Sequence, residues 1–128
     1  MDNTELAQLG EHIAASISDA VISTEVAYDE LNVTVQRDKV ADVLTFLRDD
    51  PQCLFKVLID VCGADYPDRD ERFDVVYHLL SLKNNQRVRV LLSVDEDTMV
   101  PSVVDVHPAA EWFEREAFDM YGILFAGH

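Results

Sequence analysis

Two alternating apolar runs, Phe73 to Leu82 and Arg87 to Val94, constrain this chain more than anything else in it. In the second run Val88, Val90, Leu92 and Val94 face one way, and Arg87 and Arg89 face the other. That period of two belongs to a strand with one buried face. The link Lys83-Asn84-Asn85-Gln86 carries two asparagines, which tolerate positive φ and suit a tight turn. The pair therefore reads as a long antiparallel hairpin, and the rest of the chain must supply what covers its apolar face.

The flanking segments offer that cover. Leu6, Leu9, Ile13 and Ile17 follow helical spacing from about Thr4 to Ser18, with Asp2 and Glu5 placed as a capping box. Ile22 to Tyr28 and Leu31 to Gln36 alternate around Asp29-Glu30 and predict a second hairpin. Asp38 is expected to cap a helix bearing Val40, Val43, Leu44 and Leu47 on one face, ended by Pro51. Phe55, Val57, Ile59 and Val61 are expected on one face of a third strand, broken at Gly63. A short edge strand is expected at Val103-Val104. A last helix is expected from Pro108 to Tyr121, with Gly122 at its C′ position. The order α-β-β-α-β-β-β-α, with short turns between strands, predicts an α+β fold. Its sheet is mainly antiparallel and its helices lie largely on one face. At 128 residues, one domain spanning 1–128 is expected.

The formal charge of −15 argues against binding phosphate backbones, so no nucleic-acid partner is expected. No Lys or Arg precedes Arg37, which predicts neither a signal nor a transit peptide. No apolar run approaches the roughly 18 residues of a membrane helix, so a soluble chain that meets membrane only through a partner is expected. Cys53 and Cys62 form no C-x-x-C pair, and both are expected free and buried in a reducing compartment.

Several residues could carry chemistry. Glu114 and Glu116 lie two apart on the last helix, about 200° around it, so they cannot flank one bond as an acid/base pair. His12, His78 and His107 lack ligand spacing and read as structural histidines. Asp65, Asp68, Asp70 and Glu71 offer oxygen ligands without the calcium-loop spacing, so a self-neutralising turn is expected over a calcium-binding or free-standing enzyme domain. Nothing predicts a catalytic, cofactor-binding or metal-binding residue. On the last helix, Glu111, Arg115 and Asp119 form one stripe, each pairing worth about 0.2–0.5 kcal/mol. Phe113, Ala117, Met120 and Tyr121 form the expected apolar face. Trp112 and Phe118 fall outside that face; aromatics beside an arginine have the composition of an interface hot spot, and either a partner or the C-terminal segment of the same domain is expected to cover them.

The same segment carries a family signature. Glu114-Arg115-Glu116, Asp119, Met120-Tyr121 and His128 resemble that of the thirty-kilodalton subunit of NADH-quinone oxidoreductase, respiratory complex I. Asp60 to Pro67, Arg72-Phe73, Tyr77 to Ser81, Asn85 to Arg87 and Val100 to Ser102 are similar to the family's central region, while residues 1–56 match more loosely. The resemblance implies a non-catalytic subunit of the peripheral arm, at the cytoplasmic face of a bacterial inner membrane. It implies flavin and iron–sulfur clusters in other subunits and none in this chain. It implies docking on the quinone-site, or forty-nine-kilodalton, subunit. Trp112, Glu114, Arg115, Glu116, Phe118, Asp119, Tyr121 and His128 are the expected partner interface. A subunit of a related membrane-bound hydrogenase or another quinone-linked dehydrogenase is the alternative. The family's basic, Pro-containing extension is expected to follow His128, so the chain reads as truncated at that end.

Overall fold

The computed structural model describes residues 3–127, the side chain of Asn3 excepted. Three helices, α1 (Asn3–Ser16), α2 (Val40–Asp49) and α3 (Ala110–Tyr121), accompany seven strands. The first five are β1 (Val21–Ala27), β2 (Glu30–Val35), β3 (Val57–Asp65), β4 (Phe73–Ser81) and β5 (Gln86–Val94). Two short ones are β6 (Val100–Pro101) and β7 (Phe125–Ala126). The fold is α+β, as the alternation predicts.

The main sheet runs β1-β2-β5-β4-β3. Three of its four junctions are antiparallel, but β2 and β5 pair in parallel, Leu31 opposite Val88 and Val33 opposite Val90. The β3-β4-β5 meander returns its last strand to the edge that β2 leaves open. Hairpin turns explain the antiparallel pairs. At the first turn Tyr28 and Asp29 both take positive φ (53° and 62°), and at the second Asn85 does (51°).

The inner face of this sheet is the core. Val33, Val75, Tyr77, Leu79, Val88, Val90 and Leu92 are essentially inaccessible. They join Leu6, Leu9 and Ile13 of α1, Val40, Val43, Leu44 and Leu47 of α2, and Ala110 and Ala117 of α3 in one cluster. Each helix spends its apolar stripe on that cluster, so all three lie on one side of the sheet. Across the opposite face runs a polar row set by register: Asn32, Arg89, His78 and Asp60 stand opposite one another on β2, β5, β4 and β3.

Several local expectations are corrected. Asp38 sits inside a 3-10 turn (Arg37–Lys39), and α2 starts at Val40, with Lys39 at its N-cap making no side-chain cap. The expected box of Asp2 and Glu5 includes Asp2, which lies outside the described residues. The short strand forms at Val100–Pro101 rather than Val103-Val104, and α3 begins two residues after Pro108.

On β3 the face expected for Phe55, Val57, Ile59 and Val61 is broken. A bulge between Leu58 and Asp60 inserts Ile59 as an extra residue. Leu58 therefore points inward before it and Val61 after it, while Val57 and Ile59 are exposed.

Gly63 does not end β3. It lets the strand pass under Tyr121, because a Cβ there would lie 2.6 Å from the Tyr121 ring. Gly63→Ala is expected to displace that ring and cost about 1–3 kcal/mol, the usual range for overpacking. Guanidinium unfolding measures it, and an unchanged midpoint would show that α3 has room to shift.

Candidate partner interface

The last helix is built around a buried acid. Ala110, Glu114 and Ala117 are its buried positions, with Phe113 and Tyr121 packed beside them. Glu114 is only 1% exposed. Its carboxylate accepts from the Ser102 hydroxyl at 2.7 Å and from the Val103 backbone N–H at 2.9 Å. Ser102 Oγ accepts in turn from the Val104 N–H. A buried carboxylate is tolerated only when so bonded. Glu114 thus ties α3 to β6 and the residues just after it, whose Val100 and Ser102 N–H groups donate to Leu124 and Ala126 carbonyls.

Near it lies Tyr77, fully buried, whose hydroxyl has no hydrogen-bond partner among the described residues. Burial, with the Glu114 charge second, pushes that phenol far above its ordinary value. It is a neutral core residue.

The expected interface residues therefore divide. Glu114 points inward and is corrected from a surface residue to an internal tie. Tyr121 is half-buried against Gly63. Trp112 (61% exposed), Arg115, Glu116, Phe118 and Asp119 face out. Met120, expected on the apolar face, is instead 72% exposed. His128 lies outside the described residues. Arg115 reaches Glu111 at 3.4 Å, whereas Asp119 makes no ion pair among the described residues. The opposite directions of Glu114 and Glu116 keep the two acids apart, as the helical spacing requires.

Sequence reasoning missed Glu114's burial. The signal was present: Ala110, Ala117 and Tyr121 surround it at spacings of four, three and seven, and two small residues beside one acid leave room for it to turn inward.

Arg115 separates two shallow grooves. One, of about 280 Å³, includes Phe118, Leu124 and Phe125; the other, of about 290 Å³, includes Trp112 and Pro108. Trp112, Phe118 and Leu124 are thus exposed along the grooves that Arg115 lines. A larger hollow, of about 500 Å³, lies between the start of α1 and the two hairpin turns. Its walls are polar apart from Tyr28, so it lacks the apolar anchors that make an interface core.

The acidic loop is neutralised only in part, because its two arginines also reach acids outside it. Arg72 holds Asp65 with two bonds, of 2.6 and 2.8 Å, and reaches Glu96 at 2.5 Å. Arg69 takes Asp74 at 2.5 Å and stacks over Tyr66. Of Asp65, Asp68, Asp70 and Glu71, Asp65 is the one whose carboxylate accepts from an arginine among the described residues; Arg69 reaches Glu71 at its backbone carbonyl.

Arg72 draws the Asp65 carboxyl below its ordinary range, mainly through the hydrogen bonds and against some desolvation. A depressed folded pKa gives stability that is complete above the unfolded value near 4 and lost as pH falls through the folded value. Denaturant midpoints measured from pH 7 to 3 should therefore fall more steeply for the wild type than for Asp65→Asn. Parallel curves would remove this pair from the acid response.

The histidines and cysteines also divide. His12 Nε2 lies 2.9 Å from Asp50 Oδ2, and His78 Nδ1 lies 3.4 Å from Asp60 Oδ1. His107 is buried, and its Nε2 has no partner among the described residues. Burial, with Arg48 second, lowers its pKa and keeps it neutral at pH 7. Cys53 is buried as expected; Cys62, expected buried, is exposed because it falls on the outer face of β3.

Fold and surface together define an α+β domain whose last helix exposes aromatic side chains beside an arginine. The chain belongs to the family of the respiratory-chain NADH dehydrogenase 30 Kd subunit, whose profile matches residues 33–128. It is 57% identical to the corresponding NADH-quinone oxidoreductase subunit of Xanthobacter autotrophicus over all 128 of its residues, covering 61% of that protein. It is 60% identical to the corresponding subunit of Maricaulis maris over 120 residues, 94% of this chain and 60% of that one. The chain thus spans about three-fifths of the length of these curated relatives. Among solved structures, one from the membrane-bound sulfane sulfur reductase, an archaeal respiratory membrane complex, superposes with a TM-score of 0.80 at 25% identity. That match covers 95% of this chain and 71% of the other. No helix among the described residues is long and apolar enough to cross a membrane.

Proposed function

We propose that this chain is a non-catalytic docking subunit in the peripheral arm of a proton-pumping NADH:quinone oxidoreductase. It sits at the cytoplasmic face of the inner membrane and is held to the membrane through its complex. It seats on the quinone-site (forty-nine-kilodalton) subunit and stabilises the arm through which electrons pass from NADH to quinone. The observation that carries this reading is the outer side of α3, where Trp112, Phe118 and Leu124 are exposed beside Arg115. Large aromatics and an arginine with nothing over them are what a protein partner covers. The names borne by relatives more than half identical to this chain support the choice of complex.

The chain's part is mechanical. Flavin and iron–sulfur clusters are assigned to the neighbouring subunits; the two cysteines of these 128 residues fall short of the four thiolates that a cluster takes. A second reading, the equivalent subunit of another membrane-bound respiratory complex, is favoured by the likeness to the sulfane sulfur reductase chain.

Affinity capture of the tagged chain from its native cells tests both. Recovery of the quinone-site subunit with flavin- and NADH-binding subunits is expected. Recovery of a quinone-site homologue without them would favour the second reading. Recovery of the chain alone would contradict both.

A further inference from the structure

The exit of α2 holds a second cluster that the proposed docking surface does not explain. His12 of α1, Asp50 at the exit of α2 and Cys53 in the turn after it bring Nε2, a carboxylate oxygen and Sγ within 4.8 Å of one another. We propose that these three side chains form a binding site for a zinc-class divalent cation, completed by water.

The chemistry of the donors selects the ion. One imidazole, one carboxylate and one thiolate suit Zn²⁺ or Co²⁺, whereas calcium and magnesium take oxygen. Zinc bonds of about 2.0–2.3 Å put tetrahedral ligands roughly 3.5 Å apart, so a compact triad such as this needs only small side-chain shifts. The His12–Asp50 separation of 2.9 Å would open slightly, and the Cys53 sulfur would turn in.

The backbone prepares the site. Asp50 is extended because Pro51 follows it, and its carboxylate accepts from the Gln52 N–H at 3.1 Å, which fixes its direction. Cys53 is wholly buried, while the His12 and Asp50 side chains are 25% and 17% exposed, leaving the fourth position open toward solvent.

Charge balance gives the reason for an ion. His12 Nε2 lies 2.9 Å from the Asp50 carboxylate, and the Cys53 sulfur lies within 4.8 Å of both donors. A divalent cation cancels the two negative charges that Asp50 and ionised Cys53 would carry. On binding, the S–H bond of Cys53 breaks, its proton leaves to solvent and the sulfur lone pair forms the metal bond. The bound ion would clasp α1 to the exit of α2.

Co²⁺ titration of the reduced 128-residue chain at about pH 7.5 tests the proposal. A thiolate-to-cobalt charge-transfer band in the near ultraviolet is expected at one ion per chain, displaced by Zn²⁺. It should vanish in Cys53→Ser and persist in Cys62→Ser. Asp50→Asn keeps the bonds to Gln52 and His12 but should weaken binding by more than about tenfold, a loss that even outer-shell changes can produce. Absence of the band, or a band that survives Cys53→Ser, would overturn the proposal. Should Cys53→Ser fail to fold by circular dichroism, His12→Gln on α1 decides: a weakened band supports the site and an unchanged band refutes it.

Discussion

Replacing Glu114 by alanine is expected to lower the stability of this domain by about 3 kcal/mol, within the range of about 2–5 kcal/mol for such losses. Two effects oppose each other. Removing a carboxylate that is 1% exposed relieves the cost of keeping a charge out of water. Against that, the Val103 N–H and the Ser102 hydroxyl lose their acceptor. A buried amide left unpaired costs about 1–3 kcal/mol, and the emptied volume adds to it. The second effect wins because nothing apolar refills the space.

Glu114→Gln separates the contributions. Its amide oxygen can accept from one donor while its NH₂ opposes the other, so a loss of about 1–2 kcal/mol is expected, the usual cost of an unpaired buried polar group. Guanidinium unfolding reads both variants. Wild-type stability for Glu114→Ala would mean that water enters and replaces the carboxylate.

The second large effect concerns the outer side of α3. Trp112→Ala combined with Arg115→Ala should weaken binding to the quinone-site subunit by at least about thirtyfold, the equivalent of about 2 kcal/mol. Trp112 offers the largest exposed apolar surface on the helix, and Arg115 lies between the two grooves beside it. The Arg115–Glu111 pair is exposed and contributes little to folding. The double variant should therefore unfold at nearly the wild-type denaturant concentration while losing its partner. Equal loss of stability and binding would instead assign these residues to the fold.

Much of this architecture was legible because it is local. Alternation along Val88 to Val94 marked the inner face of β5, and helical spacing marked Val40, Val43, Leu44 and Leu47 as the buried stripe of α2. Asn85 and Gly122 took the positive φ that their residue types favour. What was not legible involved either a broken period or a distant partner. The bulge at Ile59 reverses which residues of β3 face inward, and no composition signal marks it. The parallel pairing of β2 with β5 joins strands separated by a helix and two further strands.

Glu114 escaped because hydrophobic patterning assigns charge to the surface, whereas here two donors from a segment eleven and twelve residues earlier hold it inside. Met120 was then misplaced on the buried face that Glu114 occupies. His12 and Asp50 lie 38 residues apart, so no motif spacing could join them. On α3, the exposure of Trp112 and Phe118 followed directly from the helical wheel.

Sedimentation of the purified chain with the purified quinone-site subunit tests the central claim most directly. A one-to-one complex that forms with the wild type and is lost in the Trp112→Ala, Arg115→Ala chain is the predicted result. A complex equally stable with both chains would contradict the assignment of α3 as the docking face. Absence of any complex between the wild-type chain and that subunit would contradict the docking role itself.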